Sequence, residues 1–167
     1  KFDADDKRKK ETLTEIYGND GSGPVFHSSI VTKFNGTIVS GQRYFLDNFI
    51  LYRYADVILM KAEAKNALNQ NPSSEINQVR QRAYGDQFSG HEFTSSTKDA
   101  NDAEILDERF RELMFEGKRW WDLVRFGKAF DLVPSLNGRE GDGHLLLFPI
   151  PTSTLSLEPL VSQNTGY

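Results

Sequence analysis

The sequence of 167 residues contains no cysteine and only three histidines. Without cysteine the chain has no disulfide framework, no thiolate metal site and no catalytic thiol. The histidines, His27, His91 and His144, lie in predicted loops. They therefore fit neither a di-iron site, which needs Glu-x-x-His on facing helices, nor a Ser-His-Asp arrangement. We predict no cofactor and no metal.

Long apolar runs and an excess of positive charge are also missing. No run of about 18 apolar residues is present, so no membrane-spanning helix is predicted. The 20 Lys and Arg residues face 24 Asp and Glu residues, a net charge of −4. This balance argues against nucleic-acid binding, because phosphate recognition needs a concentrated positive face. The first residue is Lys1 rather than methionine, so we expect a processed or cut sequence whose targeting signal was removed.

The stretch richest in both charge and aromatic residues runs from residue 106 to 128, LDERFRELMFEGKRWWDLVRFGK. Leu106, Phe110 and Leu113 fall on one helical face by the i, i+4, i+7 rule. Asp102 is the expected N-cap, and Gly127 is the expected C-cap. The sequence therefore predicts a helical element over about 102–128, interrupted once by a glycine.

Two further helices are predicted, over residues 47–69 and 73–85. The first is capped by Asp47 or Asn48, and apolar residues cover more than half of its surface, which indicates packing between two neighbours. The second carries Arg80 and Arg82 on its outer side, and its inner face is formed by Ile76, Val79 and Ala83. The helix pair over about 47–85 approaches the length of a tetratricopeptide unit, roughly 34 residues.

The remaining segments are predicted to be loops with a few short elements. Asn35-Gly36 is a strong two-residue turn signal between β-branched residues, which predicts a β-hairpin over residues 29–40. Residues 145–151 predict a short buried strand, and residues 1–15 predict a solvated lead-in. Residues 86–101 form a polar loop, and the segment 129–167 is expected to be otherwise irregular.

Three segments stand out by their order and spacing. They are LYRYADVILMKAEAKNAL with INQVRQRA, then ILDERFRELMFEGKRWWDLVRFGK, then FPIPTSTLSLEPLVSQNTGY. Together they resemble the C-terminal signature of the SusD/RagB family, and the ending with Gln163, Asn164, Gly166 and Tyr167 is especially specific. The resemblance implies a mostly α-helical fold with tetratricopeptide-like helix pairs, long loops and a short β-hairpin. Family members are several times longer, so residues 1–167 resemble a single C-terminal region of such a protein.

The resemblance also implies a function and a location. Family members are non-catalytic, glycan-binding lipoproteins on the surface of the outer membrane, which hand a polysaccharide or oligosaccharide to a SusC-like TonB-dependent transporter. Their membrane contact is an N-terminal lipid anchor that lies outside this chain. Without the family's further helix pairs, an apolar face would be exposed, so we expect the isolated chain to self-associate. The positions that match the family's structural motif are Arg53, Glu63, Arg80, Glu108, Arg109, Glu112, Glu116, Arg119, Trp120, Asp122 and Arg125.

Two other functions compete with this interpretation. One is a helical-repeat adaptor that holds a partner protein in a concave groove. The other is a glycosidase, which needs two carboxylates at a set separation across the sugar. The acidic candidates are Glu63, Glu108, Glu112 and Glu116. Nearby arginines would hold these carboxylates ionised in a buried ion-pair network, so we predict that the chain is not an enzyme. Those arginines are Arg53, Arg109, Arg119 and Arg125.

Aromatic residues provide the candidates for sugar contacts. Trp120 and Trp121 are adjacent on a predicted helix and point about 100° apart, so they cannot form one platform, and packing is the favoured role. Loop residues are better candidates, because loops on a rigid scaffold carry function. Local packing is the alternative role for each of these candidates, which are Tyr44, Tyr84, Phe88, His91 and Phe93.

Overall fold

A computed structural model describes residues 2–46 and 48–167 of the chain. The chain divides into two compact units, Lys1–Arg119 and Trp120–Tyr167. The predicted mostly α-helical fold is confirmed, while the tetratricopeptide-like geometry of the helix pair stays a prediction, as does the single region over 1–167. Asp47, one of the two predicted helix caps, lies outside the described residues. No helix in the described part of the chain is both long and apolar enough to cross a bilayer.

The first unit begins with a short helix and two β-hairpins. Helix α1 (Arg8–Thr12) leads into strands β1 (Leu13–Asn19) and β2 (Pro24–Val31), which pair antiparallel with Leu13 opposite Val31. Strands β3 (Thr37–Val39) and β4 (Gln42–Tyr44) form the second hairpin. Its turn is Ser40-Gly41, and both residues have positive φ, 51° and 80°, as a type I′ turn requires.

The hairpin predicted over residues 29–40 is wrong. Residues 29–31 pair with residues 13–15, and residues 37–39 pair with residues 42–44, so the two predicted arms belong to different sheets. The partner of the first arm comes from the end of the segment that was interpreted as a solvated lead-in. That interpretation is wrong as well, because Asp6, Arg8 and Thr12 are buried.

Three longer helices carry the core of the first unit: α2 (Tyr54–Ala67), α3 (Ser73–Tyr84) and α4 (Lys98–Glu112). Helix α2 packs against both α3 and α4, which confirms the prediction that it lies between two neighbours. The side chains that are completely buried between them include Leu59, Ala62, Ile76 and Ile105. The predicted inner face of α3 is also confirmed, since Ile76, Val79 and Ala83 are all buried.

The first of these helices starts later than the sequence predicts. Arg53 is extended, with φ −141° and ψ 163°, and α2 begins only at Tyr54. The guanidinium of Arg53 hydrogen-bonds to the carboxylate of Glu116, so this residue is held by a distant partner rather than by a helical turn. The prediction that the helix begins near residue 47 is therefore wrong.

Helix α4 starts earlier than the sequence predicts. The hydroxyl oxygen of Thr97 accepts a hydrogen bond from the backbone N–H of Ala100, so Thr97 is the N-cap. Asp102, the predicted cap, lies inside the helix, and its carboxylate accepts a hydrogen bond of 2.7 Å from the side chain of Asn66. Both residues suit a cap chemically, and the contact with Asn66 is a tertiary one that local sequence does not show.

The second unit holds short helices: α5 (Arg119–Arg125), whose first residue belongs to the first unit, α6 (Ala129–Leu132) and α7 (Thr152–Leu157). Gly127 has φ +65°, which confirms the predicted end of α5. The N–H of Lys128 donates to the carbonyl of Leu123 at 2.8 Å, and that of Gly127 donates to Val124 at 3.1 Å. These two bonds form a Schellman motif.

The buried strand predicted over residues 145–151 is wrong. A 3₁₀ turn covers Gly143–Leu146, and Phe148 is exposed. The side-chain amide of Gln163 takes the place of a neighbouring strand, since it both accepts from the N–H of Ile150 at 2.8 Å and donates to its carbonyl at 2.9 Å. Asn164 donates to the carbonyl of Phe148, and Tyr167 donates to that of Leu147. The distinctive end of the sequence therefore holds this segment by side-chain hydrogen bonds.

Candidate functional site

The helices of the first unit meet around a set of charged side chains, which we call the buried charge network. Helix α4 carries Glu108 and Glu112 one turn apart, and Glu116 follows just beyond its end. Cations from α1, from α3 and from the two loops before α2 converge on these carboxylates. The full network consists of Asp6, Arg8, Lys33, Arg53, Arg80, Arg82, Glu104, Glu108, Arg111, Glu112 and Glu116.

Glu108 lies at the centre of the network, and its side chain is 0% exposed. One carboxylate oxygen accepts from Nη1 of Arg8 at 2.7 Å, and the other accepts from Nε of Arg80 and Nη2 of Arg111, each at 2.9 Å. Burial alone would raise the pKa of this carboxyl, but the charges and hydrogen bonds of Arg8 and Arg111 outweigh it and lower that pKa. Glu108 is therefore held as a carboxylate.

Glu112 and Glu116 share their cations. Glu112 contacts the guanidinium groups of Arg8, Arg53 and Arg82. Glu116 accepts from Nε of Arg53 at 2.9 Å and pairs with the amine of Lys33. Burial alone would raise the pKa of Glu116. Hydrogen bonds from Arg53 and Lys33 outweigh burial, so the pKa of Glu116 is lowered.

Arg8 is the main residue of the network that the sequence analysis missed. Its guanidinium forms a bidentate pair with Asp6, at 2.9 Å through Nε and 2.7 Å through Nη2, while Nη1 reaches Glu108. Burial lowers the pKa of Arg8, but these partners outweigh burial and raise it. The local sequence shows an arginine two residues after an aspartate in a charged segment, which is also what a solvated surface contains. Arg80, predicted on the outer side of α3, is another correction, because it is mostly buried and bound to Glu108.

The other predicted motif residues make different contacts. Arg109 pairs with Asp56 at 3.0 Å, and Arg119 donates to the carbonyl of Leu106 with its guanidinium 4.7 Å from the ring centroid of Phe110. In the second unit, Arg125 pairs with Asp122 at 2.8 Å. Glu63 and Trp120 are partly buried, and Trp121 is exposed beside Phe148. Of the four arginines expected to pair with the glutamates, Arg53 pairs with Glu112 and Glu116 as predicted.

The network has the wrong electrostatics for acid catalysis by its own glutamates. A glycosidase needs one carboxyl group whose pKa is raised, so that it carries a proton to the leaving group. The pKa values of Glu108 and Glu116 are shifted in the opposite direction, and their oxygens are already bound to cations. Within residues 2–46 and 48–167, no group of three or more His, Asp or Glu side chains could hold a metal ion.

The predicted sugar-contacting residues lie on different elements. Tyr84 is the last residue of α3 rather than a loop residue, and it is only 2% exposed. Its ring stacks on His91 with centroids 3.9 Å apart, and its hydroxyl donates to Asp3. Burial, followed by that hydrogen bond, raises the pKa of Tyr84 to about 12. Tyr84 is therefore a packed residue that offers no free face to a ligand.

The other candidates are more accessible. Phe93 is half-buried, and its backbone exchanges two hydrogen bonds with the side chain of Asn77, which fixes the loop to α3. Phe88 and His91 are also half-buried in the same loop, and Tyr44 is exposed on β4. The structure thus brings His91 and Tyr84 together and places Tyr44 on a separate hairpin. A role of Tyr44, Phe88, His91 and Phe93 in binding sugar stays a prediction.

Comparison with known proteins identifies the family. Residues 8–143, most of the chain, match the model of the SusD family. This chain belongs to the SusD family. SusD-like protein P38 from Formosa agariphila is 38% identical over 127 residues, which cover 72% of this chain and 25% of that protein. The starch-binding protein SusD from Bacteroides thetaiotaomicron is 31% identical over 142 residues, which cover 81% of this chain and 24% of that protein.

Solved structures of the SusD superfamily match nearly the whole chain. A superfamily member from Bacteroides fragilis has a TM-score of 0.86 and 29% identity, and the match covers 99% of this chain and 38% of that structure. NanU from B. fragilis has a TM-score of 0.79 and 34% identity, with coverage of 99% and 37%. This SusD-family chain thus spans about a quarter of the length of the curated relatives and over a third of the solved ones.

Proposed function

We propose that this SusD-family chain belongs to a non-catalytic glycan-binding protein that functions in nutrient import at the cell surface. The observation that carries the proposal is its 31% identity to a starch-binding protein over 81% of the chain. The complete gene product would be attached to the outer membrane by a lipid anchor. It would deliver a polysaccharide or oligosaccharide to a SusC-like TonB-dependent transporter.

The absence of catalysis in this proposal is supported by the buried charge network. Glu108 and Glu116 are held ionised by arginines and by Lys33, so they act as fixed anions that connect separate segments of the first unit. A binding protein needs such a rigid scaffold beneath its loops, because a loop that is fixed in advance loses less entropy when a ligand binds. The hydrogen bonds between Asn77 and the loop that carries Phe93 supply this rigidity here.

The proposal is tested by affinity electrophoresis in gels that contain neutral or acidic polysaccharides. The complete gene product and this chain are run side by side, and a reducing-sugar assay monitors cleavage. We expect retardation of the complete gene product by at least one polysaccharide, without release of new reducing ends. Loss of retardation in every gel, or steady hydrolysis by pure protein, would refute the proposal.

Variants of this chain test whether its own aromatic residues contribute to glycan binding. If Tyr44, Phe88 or Phe93 contacts the glycan, replacing that residue by alanine weakens retardation. The matched control is Phe26→Ala, which removes an exposed phenylalanine from β2. Equal retardation of all variants would show that these aromatic residues pack locally.

A further inference from the structure

A cleft of about 310 Å³ opens beside the buried charge network. Its lining contains five cationic side chains and two carboxylates, and the remaining positions are Thr12 and Ala83. The cations are Lys7, Arg8, Lys33, Arg53 and Arg82, and the carboxylates are Glu11 and Glu112. Such a concentration of positive charge is unusual in a chain whose net charge is −4.

The charged side chains of this cleft lie at different depths. The side chain of Glu112 is only 1% exposed, whereas those of Arg8, Lys33 and Arg53 are 10%, 19% and 23% exposed, and that of Arg82 is 65% exposed. Glu11 is exposed at the cleft together with Lys7 and Arg82, so solvent meets two cations and one carboxylate at its mouth. Because charges near solvent dominate the field felt by an approaching ligand, the mouth of the cleft attracts anions.

Two of the cations are placed to contact a ligand directly. Arg8 and Arg53 are committed to carboxylates, and the amine of Lys33 donates to the carbonyls of Glu112 and Met114. Lys7 and Arg82 are the exposed cations of the cleft, and one nitrogen of Arg82 also pairs with the buried carboxylate of Glu112. Lys7 is fixed beside the end of α3, because its backbone N–H donates to the carbonyl of Ala83 at 3.1 Å.

The amine of Lys7 lies close to Gly85. Gly85 has φ +59°, and a Cβ atom at this residue would collide with Nζ of Lys7. The missing side chain at Gly85 thus leaves the space in which the amine lies. The last turn of α3, which carries Arg82, ends at the same glycine.

We propose that this cleft binds the carboxylate or sulfate group of an acidic saccharide, with Lys7 and Arg82 as its direct contacts. The guanidinium of Arg82 supplies paired N–H donors that match two oxygens of such a group, and Lys7 adds a point charge. Arg8, Lys33 and Arg53 lie behind them and are each paired with buried carboxylates. The saccharide part of the inference rests on the proposed function, whereas the binding of an oxyanion rests on the cleft alone.

The test is a calorimetric titration of this chain with a hexuronate oligosaccharide, a sulfated oligosaccharide and a neutral oligosaccharide of equal length. We expect the two acidic oligosaccharides to bind at this cleft more tightly than the neutral one. Their affinity should fall as salt is added, because salt screens the attraction between charges. Lys7→Gln and Arg82→Gln should each weaken acidic binding about tenfold, the loss of one charge-assisted hydrogen bond. Arg82→Lys keeps the charge and should retain part of the affinity.

The control variant is Arg139→Gln, which removes a half-exposed arginine from the second unit and should leave binding unchanged. Lys7→Gln removes no ion pair of the network, so it tests the cleft even if Arg82→Gln lowers stability. Equal binding of acidic and neutral probes, or acidic binding that both variants leave intact, would overturn the inference while the proposed glycan function stands. Competition by inorganic sulfate at the same concentration as the sulfated probe would show simple anion binding and overturn the saccharide assignment. If no polysaccharide gel retards the complete gene product while this chain still binds the hexuronate oligosaccharide, the proposed function is refuted and the oxyanion site stands.

Discussion

At the scale of single residues, Glu108 contributes most to the cohesion of the first unit. Its one carboxylate pairs with guanidinium groups from α1, from α3 and from its own helix. Removing one member of a buried ion-pair set costs more than the set contributes as a whole, because the partners stay buried without compensation. The glutamate therefore enforces a particular arrangement of helices rather than simply adding stability.

Glu108→Gln should lower the free energy of unfolding by about 3–5 kcal/mol, because it leaves three arginines with one anion fewer. Urea unfolding followed by circular dichroism measures the change. Asp86→Asn is the control, since it removes a negative charge from an exposed position in the same unit and should change stability by less than about 0.5 kcal/mol. A Glu108→Gln variant as stable as the parent would contradict a central role for this carboxylate.

Gly127→Ala should destabilise the second unit by about 1–2 kcal/mol. Gly127 has φ +65°, and an added Cβ would meet no atom within 4 Å, so the cost is that of the left-handed backbone alone. Gly141→Ala provides a matched control, because that glycine also has open space around it but no positive φ. Thermal unfolding of both variants checks the difference, and equal melting temperatures would count against the Schellman end of α5.

At the scale of elements, the attachment of α1, α3 and the Arg53 segment to α4 depends on pH. Glu108 and Glu116 have pKa values below the ordinary glutamate value of about 4.3 in the folded state. The unfolded chain therefore takes up protons first as the pH falls. The stability that these two carboxylates contribute is complete above about pH 4.3 and is lost as the pH falls through their folded pKa values.

We accordingly expect the urea midpoint of the chain to decrease between pH 5 and pH 3. The Glu108→Gln variant should show a shallower decrease, because one of the two carboxylates that cause it is gone. Circular dichroism at a series of pH values gives both curves. A midpoint that stays constant or rises on acidification would contradict the direction of these pKa shifts.

The same elements show what local sequence can and cannot predict. The periodicity of apolar residues predicted α3 closely, and Gly127 marked the end of α5. The start of α2 was missed because the guanidinium of Arg53 is bound to Glu116, which lies 63 residues away. The strand predicted at 145–151 is wrong because a side chain, that of Gln163, forms the hydrogen bonds that a neighbouring strand would supply. Periodicity reports on neighbours in the sequence, so contacts between distant residues escape it.

The candidate site, like the fold, was predicted only in part from local sequence. Pairing of the α4 glutamates with arginines followed from their number and spacing, and Arg53 confirms it. The burial of Arg8 and Asp6 did not follow, since a charged N-terminal segment looks alike whether it is solvated or enclosed by opposite charges. The burial of Glu112 beneath Arg53 and Arg82 is a property of the assembled unit, and no sequence pattern encodes it.

At the scale of the whole molecule, exposed apolar residues are concentrated in the segment around the start of α2. They include Phe45, Phe49, Leu51 and Tyr52 before the helix and Tyr54 at its first position. Phe45 and Phe49 also line a cleft of about 250 Å³ with Phe34 and Phe115. Contiguous apolar surface of this kind marks sites of association.

We expect the chain in isolation to self-associate as its concentration rises. Replacing both Phe45 and Phe49 by Ser should shift it toward the monomer, because these substitutions remove apolar area from the exposed segment. Size-exclusion chromatography with light scattering gives the mass, and Leu160→Ser is the control at a single exposed leucine of the second unit. A parent chain that stays monomeric at high concentration would contradict this expectation.

The pair between Arg8 and Glu108 also sets an order of events during synthesis. These residues are 100 positions apart, so the ribosome adds Glu108 roughly 5–20 s after Arg8 at ~5–20 residues per second. During that interval the Asp6–Arg8 segment has no α4 to enclose it, and α2 and α3 lack the neighbour that buries their shared face. The first unit therefore completes its core only when its last long helix emerges, and until then the nascent chain is a substrate for chaperones and proteases.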